Sequence, residues 1–157
     1  MADVKTGSPY ELERSKPMPS KNHSIVQSNL VFLLQQSYRE RYRIVSEVTL
    51  VVNGLEKVPD VALFYPFPFE PEQDVSKVSD LPIGVIEILS PQQQIDSLLE
   101  KASYYFQAGI AAYWLVIPSL RTVYTFQSIH QYQAFVGEDM LSDPVLGIEL
   151  SLHEVFR

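Results

Sequence analysis

This chain of 157 residues predicts an α/β fold: a mixed sheet flanked by helices, its core ordered helix, three strands, helix, strand (αβββαβ), with extra C-terminal strands. Three observations carry that expectation. Apolar residues recur at helical spacing in two stretches, Ile25–Leu34 and Leu98–Phe106, and form strand-length runs elsewhere. Asn53-Gly54 lies between two such runs, and both residues accept the positive φ of a hairpin turn. The second helical stretch separates two apolar strands and is long enough to return the chain for parallel pairing.

Taken in order, residues 1–21 are polar and contain Pro9, Pro17 and Pro19, so they read as an irregular lead-in, with Tyr10 to Leu12 as a short edge strand. A helix is expected from Asn22, capped by Asn22 or Ser24 and ending between Tyr38 and Tyr42. Arg39, Arg41 and Arg43 fall at that end, where cations suit the helix dipole. Ile44 to Val52 reads as the first strand, and Val58 to Tyr65 as the second, with Pro59 at its start, where a missing donor is tolerated. Residues 66–82 combine Pro66, Pro68, Pro71 and Pro82 with Glu70, Glu72, Asp74 and Asp80; this composition predicts an acidic, proline-rich solvent loop, long enough to suggest a flap.

The third strand is Ile83 to Leu89, closed by Ser90-Pro91. The next helix starts near Asp96 or Ser97 with a Ser97-x-x-Glu100 capping box and ends at Gly109. Ala112 to Ile117 is a fourth strand, Pro118 to Arg121 a turn and Thr122 to Gln127 a fifth strand. A sixth covers Tyr132 to Val136, and Leu152 to Phe156 closes the chain with a turn of helix. The length and the 46% hydrophobic content predict one domain over residues 1–157.

Composition narrows the function. The chain has no cysteine, which excludes disulfides and thiolate metal sites and fits a reducing interior. No apolar h-region opens it and no apolar run approaches the roughly 20 residues a bilayer needs, so a cytoplasmic location is expected. The net charge of -7 argues against a protein that coats DNA through a basic surface, yet leaves room for a nuclease whose carboxylates hold a cation.

Glu87 stands in the middle of Val85, Ile86, Ile88 and Leu89, where an ionised carboxylate is costly without a partner. The partner could be a lysine, a metal ion shared with a second carboxylate, or water at an open strand end. Asp60, after Pro59 at the head of the second strand, is the second carboxylate if the two strands are neighbours. Taken alone, Asp60 also reads as a turn aspartate, Lys101 as an exposed helix lysine, His23 as a surface residue and Glu47 as solvent-facing. Tyr104, Tyr105, Phe106, Tyr113 and Trp114 read as core.

The ordered set Pro59-Asp60, Val85-Ile86-Glu87-Ile88-Leu89-Ser90-Pro91, Asp96, Lys101, Tyr105, Ala108-Gly109-Ile110 and Tyr113-Trp114 resembles a family of small proteins described as putative restriction endonucleases, in the PD-(D/E)xK nuclease superfamily. Glu11-Leu12, Met18-Pro19-Ser20 and His23 extend the match upstream, so it covers roughly Tyr10 to Phe156. The resemblance implies Asp60 and Glu87 as metal ligands with the Ile88 carbonyl as a third, Mg²⁺ (or Mn²⁺) as cofactor, and DNA as substrate, cut to leave a 5′-phosphate. It implies Lys101 as the catalytic lysine, because the superfamily's usual position, two residues after the glutamate, holds Leu89. Glu11 matches a family carboxylate, although Ser15 stands where a glycine is usual. A homodimer would place two sites on two strands. The missing lysine at Leu89 and the acidic balance also admit a different class, a nuclease fold without catalysis that serves as a binding or regulatory module.

Overall fold

The computed structural model of the protein describes residues 7–14 and 16–157. In chain order the elements are α1 (Pro9–Arg14), α2 (Lys21–Tyr38), β1 (Arg43–Ser46), β2 (Thr49–Val52), β3 (Leu55–Lys57), β4 (Val61–Phe64), β5 (Lys77–Val78) and β6 (Gly84–Ile88). They continue with α3 (Ile95–Ala108), β7 (Ala112–Ile117), a 3₁₀ turn (Pro118–Leu120), β8 (Thr122–Ser128), β9 (Gln131–Val136), β10 (Met140–Asp143), β11 (Ile148–Ser151) and α4 (Leu152–Val155). Among the described residues no helix is long and apolar enough to cross a membrane.

The main sheet has the order β1-β4-β6-β7-β8-β9. β4 is antiparallel to β1 and to β6, β6 and β7 are parallel across α3, and β8 and β9 continue antiparallel. The sequence α2, β1, β4, β6, α3, β7 is therefore the expected αβββαβ core, with strands added after it. Alternation along the strands sends their side chains to two faces. On one face Val26, Leu30 and Leu34 of α2 pack against Val61, Leu63, Ile86, Ile88, Trp114 and Val116, and the β10–β11 hairpin and α4 extend this layer. On the other face Leu98, Ala102 and Tyr105 of α3 cover Ala62, Val85, Tyr113 and Leu115, with Leu50 and Val52 of β2 beside them.

The local departures have identifiable causes. Tyr10–Leu12 is helical rather than an edge strand, because Ser8 and Glu11 form a reciprocal cap: Ser8 N–H donates to Glu11 Oε2 at 2.7 Å and Glu11 N–H to Ser8 Oγ at 3.3 Å. Pro9, at the first helical position, has no donor to lose there. The cap of α2 is Ser20, whose Oγ accepts from His23 N–H at 3.1 Å, not Asn22 or Ser24. α3 begins at Ile95 without a side-chain cap; Ser97 Oγ donates to the Gln94 carbonyl instead, so its box with Glu100 does not form. Gly109 ends α3 as expected, at φ 103°, with its N–H on Phe106 O.

The expected strand over Ile44–Val52 is two strands in two sheets. Glu47 has φ 58°, a left-handed backbone that breaks the ladder between β1 and β2. The Asn53-Gly54 turn forms, but it joins β2 to β3 in a separate three-stranded sheet, β3-β2-β5. The second expected strand, Val58 to Tyr65, is shortened to β4, and β3 lies ahead of it, outside the expected bounds. The acidic loop is tied down midway, since Lys77–Val78 pairs in parallel with Thr49–Leu50 of β2.

β10 and β11, absent from the sequence-based expectation, are fastened by a buried acid. Asp143, 2% exposed, accepts from Trp114 Nε1 at 2.6 Å and from the backbone N–H groups of Val145 and Leu146 at 2.8 and 3.0 Å. Replacing it leaves two buried donors and the partly buried Val145 N–H unpaired. Asp143→Ala is expected to lower stability by about 2–4 kcal/mol, measured by urea denaturation followed through the fluorescence of Trp114.

Candidate functional site

The register of β4 and β6 sets the site. Val61 is the partner of Ile86 in an antiparallel pair, so Asp60, one residue before, and Glu87, one residue after, come together where the two strands part. Both are buried, at 1% and 2% exposure. Asp60 Oδ2 accepts the Ile88 N–H at 2.7 Å, in place of the strand partner that β4 no longer supplies. N–H and C=O of a strand residue face the same side, so the Ile88 carbonyl points toward this edge too.

α3 starts beyond the end of β6 and runs back over it, which brings two side chains onto Glu87. Lys101 Nζ lies 3.6 Å from Glu87 Oε1, and the Tyr105 hydroxyl 3.5 Å from the same oxygen. Asp60, Glu87, Ile88 and Lys101 are thus in one place.

Lys16 completes the cluster and is the residue that sequence reasoning missed. Its ammonium is 2.6 Å from Asp60 Oδ1 and 3.3 and 3.2 Å from the two carboxylate oxygens of Glu47. It is 8% exposed. Nothing in a polar, proline-containing stretch marks such a lysine for burial; the available clue was one step removed, the Ser8-x-x-Glu11 cap that turns the lead-in into an anchored helix. Glu11 itself caps α1 and accepts Met18 N–H at 3.1 Å, and these backbone donors hold its carboxyl below the usual range.

His23 and Glu47 also differ from expectation. His23 is 3% exposed rather than on the surface, because it lies on the buried stripe of α2 that continues through Val26, Leu30 and Leu34. Its Nε2 lies 3.2 Å from Asp60 Oδ2, while Nδ1 is buried without a hydrogen-bond partner among the described residues. Glu47 is only partly exposed: its left-handed backbone turns it toward Arg14 (2.9 Å), Lys16 and Gln27, whose amide also donates to the Asp60 carbonyl. Of the three arginines near the end of α2, Arg41 binds the carbonyls of Leu146 and Gly147 and Arg43 that of Phe67, leaving Arg39 largely exposed. Tyr105, Tyr113 and Trp114 are fully buried, as expected of core residues.

The two acids are treated oppositely by their surroundings. Burial pushes the Glu87 carboxyl up to about 7, against the pull of Lys101 and with the help of the Asp60 charge. Burial works in the same direction on Asp60, but the His23 hydrogen bond and Lys16 outweigh it and hold its carboxyl below the usual value. Burial alone would weaken the Lys16 ammonium; Asp60, Glu87 and Glu47 reverse this and push its pKa up.

Two carboxylates and a backbone carbonyl suit Mg²⁺, which takes one or two protein carboxylates and keeps waters in its shell. Among the described residues no three His, Cys, Asp or Glu side chains gather into a cluster of their own, so water would complete the coordination. The ammonium of Lys16 on Asp60 demonstrates that a cation is accommodated at that carboxylate.

A family model described as Uma2, putative restriction endonuclease, matches residues 11–153. A crystal structure described as that of a putative nuclease belonging to DUF820 from Anabaena variabilis ATCC 29413 is similar with a TM-score of 0.76 at 24% identity, over 89% of this chain and 83% of that one. That likeness shows that the two chains share this mixed α/β fold. A chain of a DrdV–DNA complex solved by cryoEM matches with a TM-score of 0.46 at 18% identity, over 73% of this chain and 10% of that one. No curated protein matches.

Stability should record the buried acid. Between the ordinary 4.5 of a glutamate and the value of about 7 in the fold, the native state binds a proton that the unfolded chain has released. Glu87 therefore contributes fully below the lower value, and its contribution is lost as pH rises through the upper one. Asp60, lowered from 3.8, acts only in a more acid window. Thermal melts of the metal-free protein are expected to fall across pH 4.5 to 7 in the wild type and to flatten in Glu87→Gln.

Proposed function

This chain belongs to the Uma2 family, described as putative restriction endonucleases; from that premise we propose that it is a cytoplasmic, Mg²⁺-dependent endonuclease that hydrolyses DNA phosphodiester bonds. The observation that carries the reading is the meeting of Asp60 and Glu87 at the parting of β4 and β6, with Lys101 3.6 Å from Glu87. Asp60, Glu87 and the Ile88 carbonyl would hold the ion. When bound, Mg²⁺ supplies a water of lowered pKa and positive charge against the phosphate oxygens.

The chain's own groups do the rest. Glu87 must shed its proton, which a neighbouring cation favours. Lys101 orients the attacking water by hydrogen bonding and offsets the charge that develops on the phosphate. The water oxygen would bond to phosphorus in line as the P–O3′ bond breaks, the water giving one proton to solvent and the leaving O3′ taking one from it, which leaves a 5′-phosphate and a 3′-hydroxyl. Ile88 N–H and His23 keep Asp60 in place. Two copies of the site, in a homodimer, would serve the two strands of a duplex.

The second reading, a nuclease fold acting as a binding or regulatory module, is favoured by Leu89 at the superfamily's lysine position and by Lys16 on Asp60. Cleavage assays on supercoiled plasmid and linear duplex with Mg²⁺ or Mn²⁺ separate the two. The wild type is expected to cut, and Asp60→Asn, Glu87→Ala and Lys101→Met each to lose about 100-fold or more. Undiminished activity in Glu87→Ala removes that residue from the mechanism. A wild type inert with both metals and both substrates supports the module.

A further inference from the structure

The geometry points to Lys16 as a built-in cation that occupies Asp60 and gives up its place when a divalent ion binds. The inference rests on the reading that Asp60 and Glu87 hold that ion. Asp60 has two carboxylate oxygens, and Oδ2 is already engaged by Ile88 N–H at 2.7 Å and His23 Nε2 at 3.2 Å. Oδ1 remains for a cation, and the Lys16 ammonium holds it at 2.6 Å.

Mg²⁺ sits at roughly 2.1 Å from its oxygen ligands. A dication on Oδ1 and an ammonium on the same oxygen would be close neighbours among buried groups, where like charges repel strongly. They cannot share it. One must leave, and the ion, with Glu87 and the Ile88 carbonyl as further ligands, outcompetes a single charge.

The surroundings give Lys16 somewhere to go. Its other contact, Glu47, has a side chain 31% exposed, against 1% for Asp60. Moving outward along Glu47 returns the ammonium toward water without unpairing it. Arg14, 2.9 Å from Glu47, keeps that carboxylate in position at the rim. Exchange rather than addition also lowers the charge added to the core by one unit.

Calorimetric titration of Mn²⁺ into the full chain tests the inference, with Lys16→Met, Asp60→Asn and wild type compared. Lys16→Met is expected to bind one ion at least about tenfold more tightly than wild type, and Asp60→Asn to bind none. A second readout uses the wild type alone and so survives a variant that fails to fold. Amine acylation read by mass spectrometry should be slow at Lys16 without metal and several-fold faster at saturating Mn²⁺, while exposed Lys77 is unchanged. If wild type binds Mn²⁺ through Asp60 but Lys16→Met binds equally or more weakly, or Lys16 stays protected in the loaded protein, Lys16 is a fixed structural partner and the exchange is overturned. If neither wild type nor Lys16→Met binds Mn²⁺, the ion-site reading itself falls, and the exchange with it.

Discussion

An ionised aspartate almost wholly withdrawn from water is the constraint on which this site depends. Asp60 keeps its charge only because each oxygen has a donor: Lys16 on one, Ile88 N–H and His23 on the other. These come from three separate parts of the chain, the segment after α1, the start of α2 and the end of β6. The acid therefore gathers the fold around itself. It also explains why Glu47 tolerates a left-handed backbone, a conformation costing on the order of 1–2 kcal/mol. That geometry turns the carboxylate toward Lys16 and Arg14 while Glu47 N–H reaches the Asp60 carbonyl at 3.2 Å.

Glu87 shows the same burial resolved the other way. With Lys101 at 3.6 Å and a charged neighbour in Asp60, it has too little compensation to stay ionised in the metal-free protein at low pH, and its carboxyl rises to about 7. One acid held by a close ammonium and one waiting for more positive charge make an uneven pair. That unevenness is the electrostatic signature of a place where a further cation would be welcomed.

Periodicity made the core of the fold legible. β7 matches its expected bounds because six consecutive apolar residues buried on both faces can only be a central strand. α2 and α3 were evident from their apolar stripes, and Gly109 from its place after the second. What stayed hidden was non-local. The split between β1 and β2 depends on one residue's φ, which no propensity encodes for a glutamate. β10 and β11 are fastened by Asp143 reaching Trp114, and a lone aspartate carries no trace of so distant a partner. At the candidate site, Asp60, Glu87 and Lys101 were brought forward by the family resemblance, whereas Lys16 lies in a stretch that read as an irregular lead-in and His23 read as a surface residue at a helix start.

The excursion from Glu47 to Asp60 has a closed neck. β1 and β4 are zipped as far as Ser46 opposite Val61, and at that point Glu47 N–H and the Gln27 amide both hold the Asp60 carbonyl. Beyond it the β2–β3 hairpin leaves this stem, with β2 packed beside α3 and paired to β5 and the turn at its tip open to solvent. Closing a longer loop over such a stem costs little, since the entropy grows only with the logarithm of its length. The Asn53-Gly54 turn, with open space around Gly54, is thus the place where the chain can be lengthened for new contacts while Leu50 and Val52 stay in the core and the acid at the base keeps its coordinates.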